Sequence, residues 1–239
     1  MSALPLDILA IAAHRDDVEQ TCGGTLLKMA QRGQRTGILD LTQGEMGTRG
    51  TAEDRAREAD DAARILGVQW RRALDIPDGR VENTWENRIK VASVIREMRP
   101  RVVILPYWQG RHPDHYTCSV LGYEASFLAG LAKLDPHTAP HRPYKIIYAT
   151  LYYDVRPTFV VDITPQFETK FVSILAYKSQ FSDQEAGKDL FPAHEEIRAR
   201  VESMARYYGA LGGVSHGEPF LQKEVGLVED LLTIPVKSI

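Results

Sequence analysis

Two short clusters hold the residues best suited to chemistry: His14-Arg15-Asp16-Asp17 near the amino end, and His112-Pro113-Asp114-His115 near the middle of the chain. Imidazoles and carboxylates of this kind form the ligand set of a catalytic zinc, which takes three protein donors and keeps a fourth position for water. On that reading His14, Asp17 and His115 are the metal ligands. Asp16 then stands beside the cation as general base for a water whose pKa the metal lowers. His112 is left to face the developing oxyanion or the leaving amine, with Asp114 holding its imidazole in the cationic form. Iron(II) accepts a similar donor set, so zinc and iron both stay open. Taken singly, each histidine is more often a surface or core residue than a ligand, and an Asp-Asp pair after a strand is more often a helix cap. The metal reading gains its weight from three of the seven histidines falling at the ends of two strands expected to be neighbours.

Those strands belong to an alternating pattern. Residues 7–13 are a continuous apolar run that stops at a polar cluster, as a buried strand does. A helix is expected from about residue 18 to Gly33, a second strand over 36–42, a loop over 43–51 and a charged amphipathic helix over 52–66 closed by Gly67. A third strand over 70–74 leads to the turn Pro77-Asp78-Gly79, and a helix over 86–98 is stopped by Pro100. Residues 102–105, all Val, Ile or Leu, form a fourth strand ended by Pro106; a loop through His115 leads to a helix over 117–132. Strands over 145–151 and 159–162, a helix from Thr164-Pro165 to about Tyr177 and a last helix over 194–208 complete the series. Strands alternating with helices imply an α/β, Rossmann-like fold: a mostly parallel sheet with helices on both faces. In the common doubly wound order, strands one and four lie side by side across the switch point, so a site at their C-terminal ends would unite the two clusters.

The bulk numbers exclude several classes. With 239 residues, 44% apolar and 26% charged, the chain fits a single soluble domain spanning 1–239 rather than a disordered or membrane protein. A net charge of −3 without a Lys/Arg block offers no footprint for nucleic acid or an anionic membrane. The amino end lacks the layout of a secretory signal, and Cys22 and Cys118 are too few for a disulfide framework, so the expected compartment is the cytoplasm.

Ala13-His14-Arg15-Asp16-Asp17 with Glu19, Gly23-Gly24-Thr25 and His112-Pro113-Asp114-His115 resemble the LmbE-like (PIG-L) de-N-acetylases over most of the chain. Residues 40–51 and Tyr177-Lys178-Ser179-Gln180-Phe181 are similar to a narrower branch, the bacillithiol-pathway enzymes that deacetylate N-acetylglucosaminyl-malate. The resemblance implies a Rossmann-like, zinc-dependent N-acetylglucosaminyl deacetylase with the ligand and base assignment given above. It also implies a small-molecule amino-sugar substrate and a homo-oligomer, trimer or hexamer. It makes Arg55 a substrate contact, although a helix reading EDRAREADDAAR is also expected to carry solvated arginines in ion pairs. Two positions depart from the family pattern. Arg15 stands where Pro or Ala is usual, and is expected to point away from the metal, towards solvent or an anionic substrate group. His216-Gly217-Glu218 stands where Tyr-Ala-Glu is typical, so the tyrosine's role does not carry over. Two rival functions follow: deacetylation of another N-acetyl sugar conjugate, inositol-linked or chitobiose-like, and a metal- or sugar-binding module without turnover. Cys118 reads as a small buried core residue, Gly23-Gly24 as close helix packing, His137, His141 and His194 as solvated, and Tyr207-Tyr208 as helix packing.

Overall fold

A computed structural model of the chain describes residues 4–151, 153–182 and 193–236. Strands β1 (Ile8–Ala12), β2 (Thr36–Asp40), β3 (Trp70–Ala73), β4 (Val102–Pro106), β5 (Lys145–Ala149), β6 (Phe159–Asp162) and β7 (Gly217–Leu221) form one sheet. Their order is β3-β2-β1-β4-β5-β7-β6. The first five pair in parallel, and β7 runs antiparallel to both of its neighbours. The helices are α1 (Asp17–Thr21), α2 (Gly23–Gln31), α3 (Ala52–Ile65), α4 (Trp85–Met98), α5 (Pro113–Ala129), α6 (Phe167–Leu175), α7 (Lys178–Phe181) and α8 (His194–Gly212). The α/β, mostly parallel architecture expected from the alternation is the one observed. No helix among the described residues is long and apolar enough to cross a membrane.

Every residue of β1 and β2 is buried, because a parallel strand covered on both faces needs apolar side chains in both directions. Side-chain alternation divides them between two cores. Leu9 and Ile11 join Val91, Ile95, Leu105 and Leu121 beneath α4 and α5, whereas Ile8, Ala10 and Ala12 join Val18, Cys22, Leu26 and Phe220 on the opposite face. Gly122 lets α5 lie close to β4, since a Cβ there would stand 2.4 Å from Leu105 Cδ2. This contact seats the helix that begins with the second cluster.

The structure differs from the expected elements most of all at four places. The helix expected over 18–33 is broken at Cys22 (φ −138°) into α1 and α2. At the break the buried Glu218 carboxylate accepts from Gly24 N (2.9 Å) and Thr25 N (2.7 Å), two of the amides that the start of α2 leaves free. The loop expected to run through His115 is already helix: Pro113 opens α5, and His112 Nδ1 caps it by accepting from Asp114 N at 3.2 Å. The helix expected from Thr164 to Tyr177 starts as a 3-10 turn, Thr164–Gln166, before α6. Strand β7 has no counterpart in the sequence reading, because a proline inside a run of five argues against a central strand. Pro219 is accommodated because β5 ends at Ala149, paired with Phe220, so the proline lies beyond the β5 ladder.

Candidate functional site

Strands β1 and β4 lie side by side, with Ile8, Leu9 and Ala10 opposite Val102, Val103 and Ile104. The segments leaving their C-terminal ends therefore emerge together, carrying His14 to Asp17 on one side and His112 to His115 on the other. His14 N donates to Asp17 Oδ2 at 2.9 Å, which bends the chain back as α1 begins. Asp16, at the cap of α1, takes φ 111°. A residue other than glycine held there stores about 1–3 kcal/mol, a form of strain that clusters at working sites.

Three donors converge. His14 Nδ1 lies 3.2 Å from His115 Nε2 and 3.5 Å from Asp17 Oδ2, and His115 Nε2 lies 3.2 Å from Asp17 Oδ1. Atoms bound about 2.0–2.2 Å from one tetrahedral centre stand about 3.3–3.6 Å apart, close to these separations, although the two histidines meet different oxygens of the Asp17 carboxylate. His112 adds a third imidazole, its ring 4.8 Å from that of His14 and 4.7 Å from that of His115. One nitrogen from each of these histidines falls within 4.8 Å of the others.

The other face of His14 meets two carboxylates. Its Nε2 lies 3.1 Å from Asp78 Oδ1 and 3.2 Å from Asp114 Oδ2. Both carboxylates are held by backbone: Asp114 accepts from Gly79 N at 2.8 Å and Val81 N at 3.2 Å, and Asp78 accepts from Met46 N at 3.0 Å. Glu45 extends the chain of contacts by accepting from Asp78 N at 2.8 Å. A carboxylate on the far nitrogen of an imidazole fixes its tautomer and ring orientation, the arrangement that prepares a histidine to bind metal. The Asp114 carboxylate, expected on His112, therefore serves His14 instead; what it offers His112 is its backbone N–H.

Charge follows from this crowding. Burial disfavours the His14 imidazolium, but the bonds to Asp114, Asp17 and Asp78 outweigh it and raise the group to about 12. His115 is likewise raised, burial being overcome by Asp17. Burial lowers His112, and the positive charges of His14 and His115 lower it further. Asp16 is pushed up to about 7, by burial first, against the pull of Arg55 and with the push of Asp17. The cluster as a whole draws positive charge to the atoms of the donor triangle.

Neither of the two arginines considered for substrate is solvated. Arg15 is buried and turned neither to solvent nor to the cavity: its Nη1 donates to the carbonyls of Gln43 (3.2 Å) and Ala52 (2.7 Å), tying the loop after β2 to the start of α1. Arg55 is buried as well, not solvated. Its Nη2 donates to the Arg15 carbonyl and pairs with Asp16 Oδ1 at 3.1 Å, while Gln20 donates to Asp16 Oδ2 at 3.3 Å. Of the smaller signals, Cys118 is fully buried core, and Tyr208 is buried with its hydroxyl accepting from Val155 N. His137 is exposed, and His141 Nε2 contacts the Pro100 carbonyl at 2.7 Å. The side chain of His194 lies outside the described residues. His216 stacks on Phe167 at 4.2 Å.

Sequence reasoning missed Asp78, which it saw only as part of a turn; its spacing from the two clusters gives no signal. It also missed the buried Arg71, whose guanidinium grips both oxygens of Asp40 (2.8 and 3.0 Å) and Glu19 Oε1 (2.6 Å), with Tyr177 donating to the same Glu19 oxygen at 3.0 Å. Two adjacent arginines between apolar residues in a short strand, Trp70-Arg71-Arg72-Ala73, were the available hint.

A pocket opens beside the donors, lined by Asp17 and His115, by Ile104, Leu105 and Ala149, and by Tyr107, Gln109 and Gly110. Its mix of apolar wall with a few polar groups is the lining that small-molecule sites carry.

Residues 9–126 match the protein family described as PIG-L, GlcNAc-PI de-N-acetylase. The diacetylchitobiose deacetylase of Thermococcus kodakarensis is 33% identical over 231 residues, covering 88% of this chain and 80% of the relative. Among solved structures, a conserved protein from Thermus thermophilus is 39% identical with a TM-score of 0.84, over 94% of this chain and 98% of that one. The N,N'-diacetylchitobiose deacetylase from Pyrococcus horikoshii, complexed with an inhibitor, is 28% identical with a TM-score of 0.79, over 89% of this chain and 82% of that one.

Proposed function

The chain belongs to the PIG-L (LmbE-like) deacetylase family, and from that premise we propose that it is a metal-dependent amide hydrolase removing the acetyl group from the N-acetylglucosamine unit of a small conjugate. The observation that carries the proposal is the convergence of His14 Nδ1, His115 Nε2 and the two Asp17 carboxylate oxygens, at separations of 3.2 to 3.5 Å, beside a pocket. These three residues would hold the cation, zinc in this reading and iron(II) as the alternative. Such a cation polarises an amide carbonyl and lowers the pKa of a nearby water.

The remaining roles fall to the chain. Asp16 accepts the proton of the attacking water, and its two oxygens are steered by Arg55 and Gln20, so the base is oriented before substrate arrives. His112, capping α5 beside the two ligand histidines, is placed to donate to the developing oxyanion or to the departing amine. Asp78 and Asp114 hold the His14 ring, and Arg15 and Arg55 position the Asp16 segment rather than touching substrate. The products are acetate and a free amino sugar. The reading also carries a single domain over 1–239, a cytoplasmic location and self-association as a trimer or hexamer, which light scattering on the purified protein measures.

Two conjugates are favoured by different observations. The segments 40–51 and 177–181 are similar to those of the branch that acts on N-acetylglucosaminyl-malate, in bacillithiol formation. The 33% identity to a diacetylchitobiose deacetylase favours a second sugar instead. Acetate release from both compounds by metal-loaded protein tests the proposal; the expected result is turnover of at least one, lost in Asp16→Asn. A protein that binds metal and sugar but releases no acetate would be a binding module and would end the hydrolase reading.

A further inference from the structure

The cavity beside the donor triangle ends in a built rim. Tyr107 and Tyr153 set their rings 5.6 Å apart at 40°, and both hydroxyls reach Gln109 Oε1, each at 3.4 Å. Tyr107 and Gln109 line the same cavity as Asp17 and His115. With two phenols donating to its oxygen, the exposed Gln109 amide directs its N–H groups away from them. The rim is braced from behind. Trp108 packs on Tyr107 at 4.4 Å and edge-on to Tyr148 at 4.8 Å. The Lys223 ammonium then lies over three rings at once, 4.8 Å from Trp108, 4.8 Å from Tyr123 and 4.9 Å from Tyr148. A cation held by several ring faces fixes their orientation, so the rim is formed in advance of any ligand.

Aromatic rings with an adjacent amide suit a sugar, whose ring carries an apolar C–H face for stacking and hydroxyls for hydrogen bonding. We propose that Tyr107, Gln109 and Tyr153 form an outer subsite that receives a neutral pyranose ring linked to the N-acetylglucosamine unit undergoing deacetylation. This rests on the deacetylase reading and gives it a substrate class, a disaccharide or larger saccharide.

The test compares kcat/KM for a β-linked N-acetylglucosamine disaccharide with that for N-acetylglucosamine, in wild type, Tyr153→Ala and Tyr153→Phe, alongside direct calorimetric binding of both sugars to the metal-loaded protein. The disaccharide-to-monosaccharide ratio should fall about tenfold or more in Tyr153→Ala and stay near wild type in Tyr153→Phe, which keeps the ring. Equal losses on both sugars, or an unchanged ratio, would overturn the subsite. If wild type releases acetate from neither sugar but does so from N-acetylglucosaminyl-malate, the deacetylase reading stands and the subsite is overturned; if it releases acetate from none of the three, the deacetylase reading fails and binding alone decides the subsite. Tighter binding of the disaccharide that Tyr153→Ala abolishes supports it, and equal binding of the two sugars overturns it.

Discussion

Two kinds of buried charge cluster lie in this fold, and they are resolved in opposite ways. Beneath the sheet edge, Arg71 binds Asp40 and Glu19, and across the fold Lys170 binds Glu218 at 2.6 Å while Glu218 also takes the amides of Gly24 and Thr25. Each of these carboxylates meets a fixed cation from the chain itself. At the ends of β1 and β4, Asp17, Asp78 and Asp114 crowd two imidazoles whose nitrogens face one another at 3.2 Å. There the positive charge facing the carboxylates is what the imidazoles take up, and two protonated rings would repel. A buried cluster that closes on its own counter-charge is scaffold; one that presents facing lone pairs and carboxylates is built for a cation supplied from outside.

The contrast can be broken at either cluster. The largest effect is expected from Asp16→Asn: turnover should fall by about 10² to 10⁴ with metal content unchanged, measured by acetate release and elemental analysis of the same sample. Loss of metal in that variant would make Asp16 a ligand rather than a base. In the scaffold cluster, Arg71→Met strands two buried carboxylates and should cost about 3–5 kcal/mol in urea unfolding, whether or not metal is present. A small or metal-dependent cost would merge the two clusters into one. Asp78→Ala frees the outer nitrogen of His14 from one of its two carboxylates and should weaken metal binding by about 10- to 100-fold in a chelator competition, with the fold intact. Unchanged affinity would leave Asp114 as the partner that matters. A comparable effect is thermal: cation at about a hundred times its Kd should stabilise wild type by about 2.7 kcal/mol and leave His115→Ala unmoved.

The sequence made the frame of this contrast legible because its cause is local. Continuous apolar runs at residues 8–12 and 102–105, each ended by a polar or proline-bearing segment, read as strands covered on both faces, and the two histidine clusters lie within the segments that follow them. What stayed hidden depends on distant partners. Asp78 becomes part of the site only when the turn after β3 folds against His14, and nothing in Pro77-Asp78-Gly79 distinguishes it from an ordinary turn aspartate. The break at Cys22 is stabilised by Glu218, from a strand whose proline disguises it. Arg15 and Arg55 look like surface charges in sequence because their acceptors are backbone carbonyls, which composition does not reveal.

The most direct test is the metal content of extensively dialysed wild type and His115→Ala, with circular dichroism on both. About one divalent ion per chain in wild type, and next to none in a variant that remains folded, is the expected result. A folded His115→Ala that retains its full metal, or a wild type that takes up none when zinc or iron(II) is offered, would contradict the site from which every functional step here is drawn.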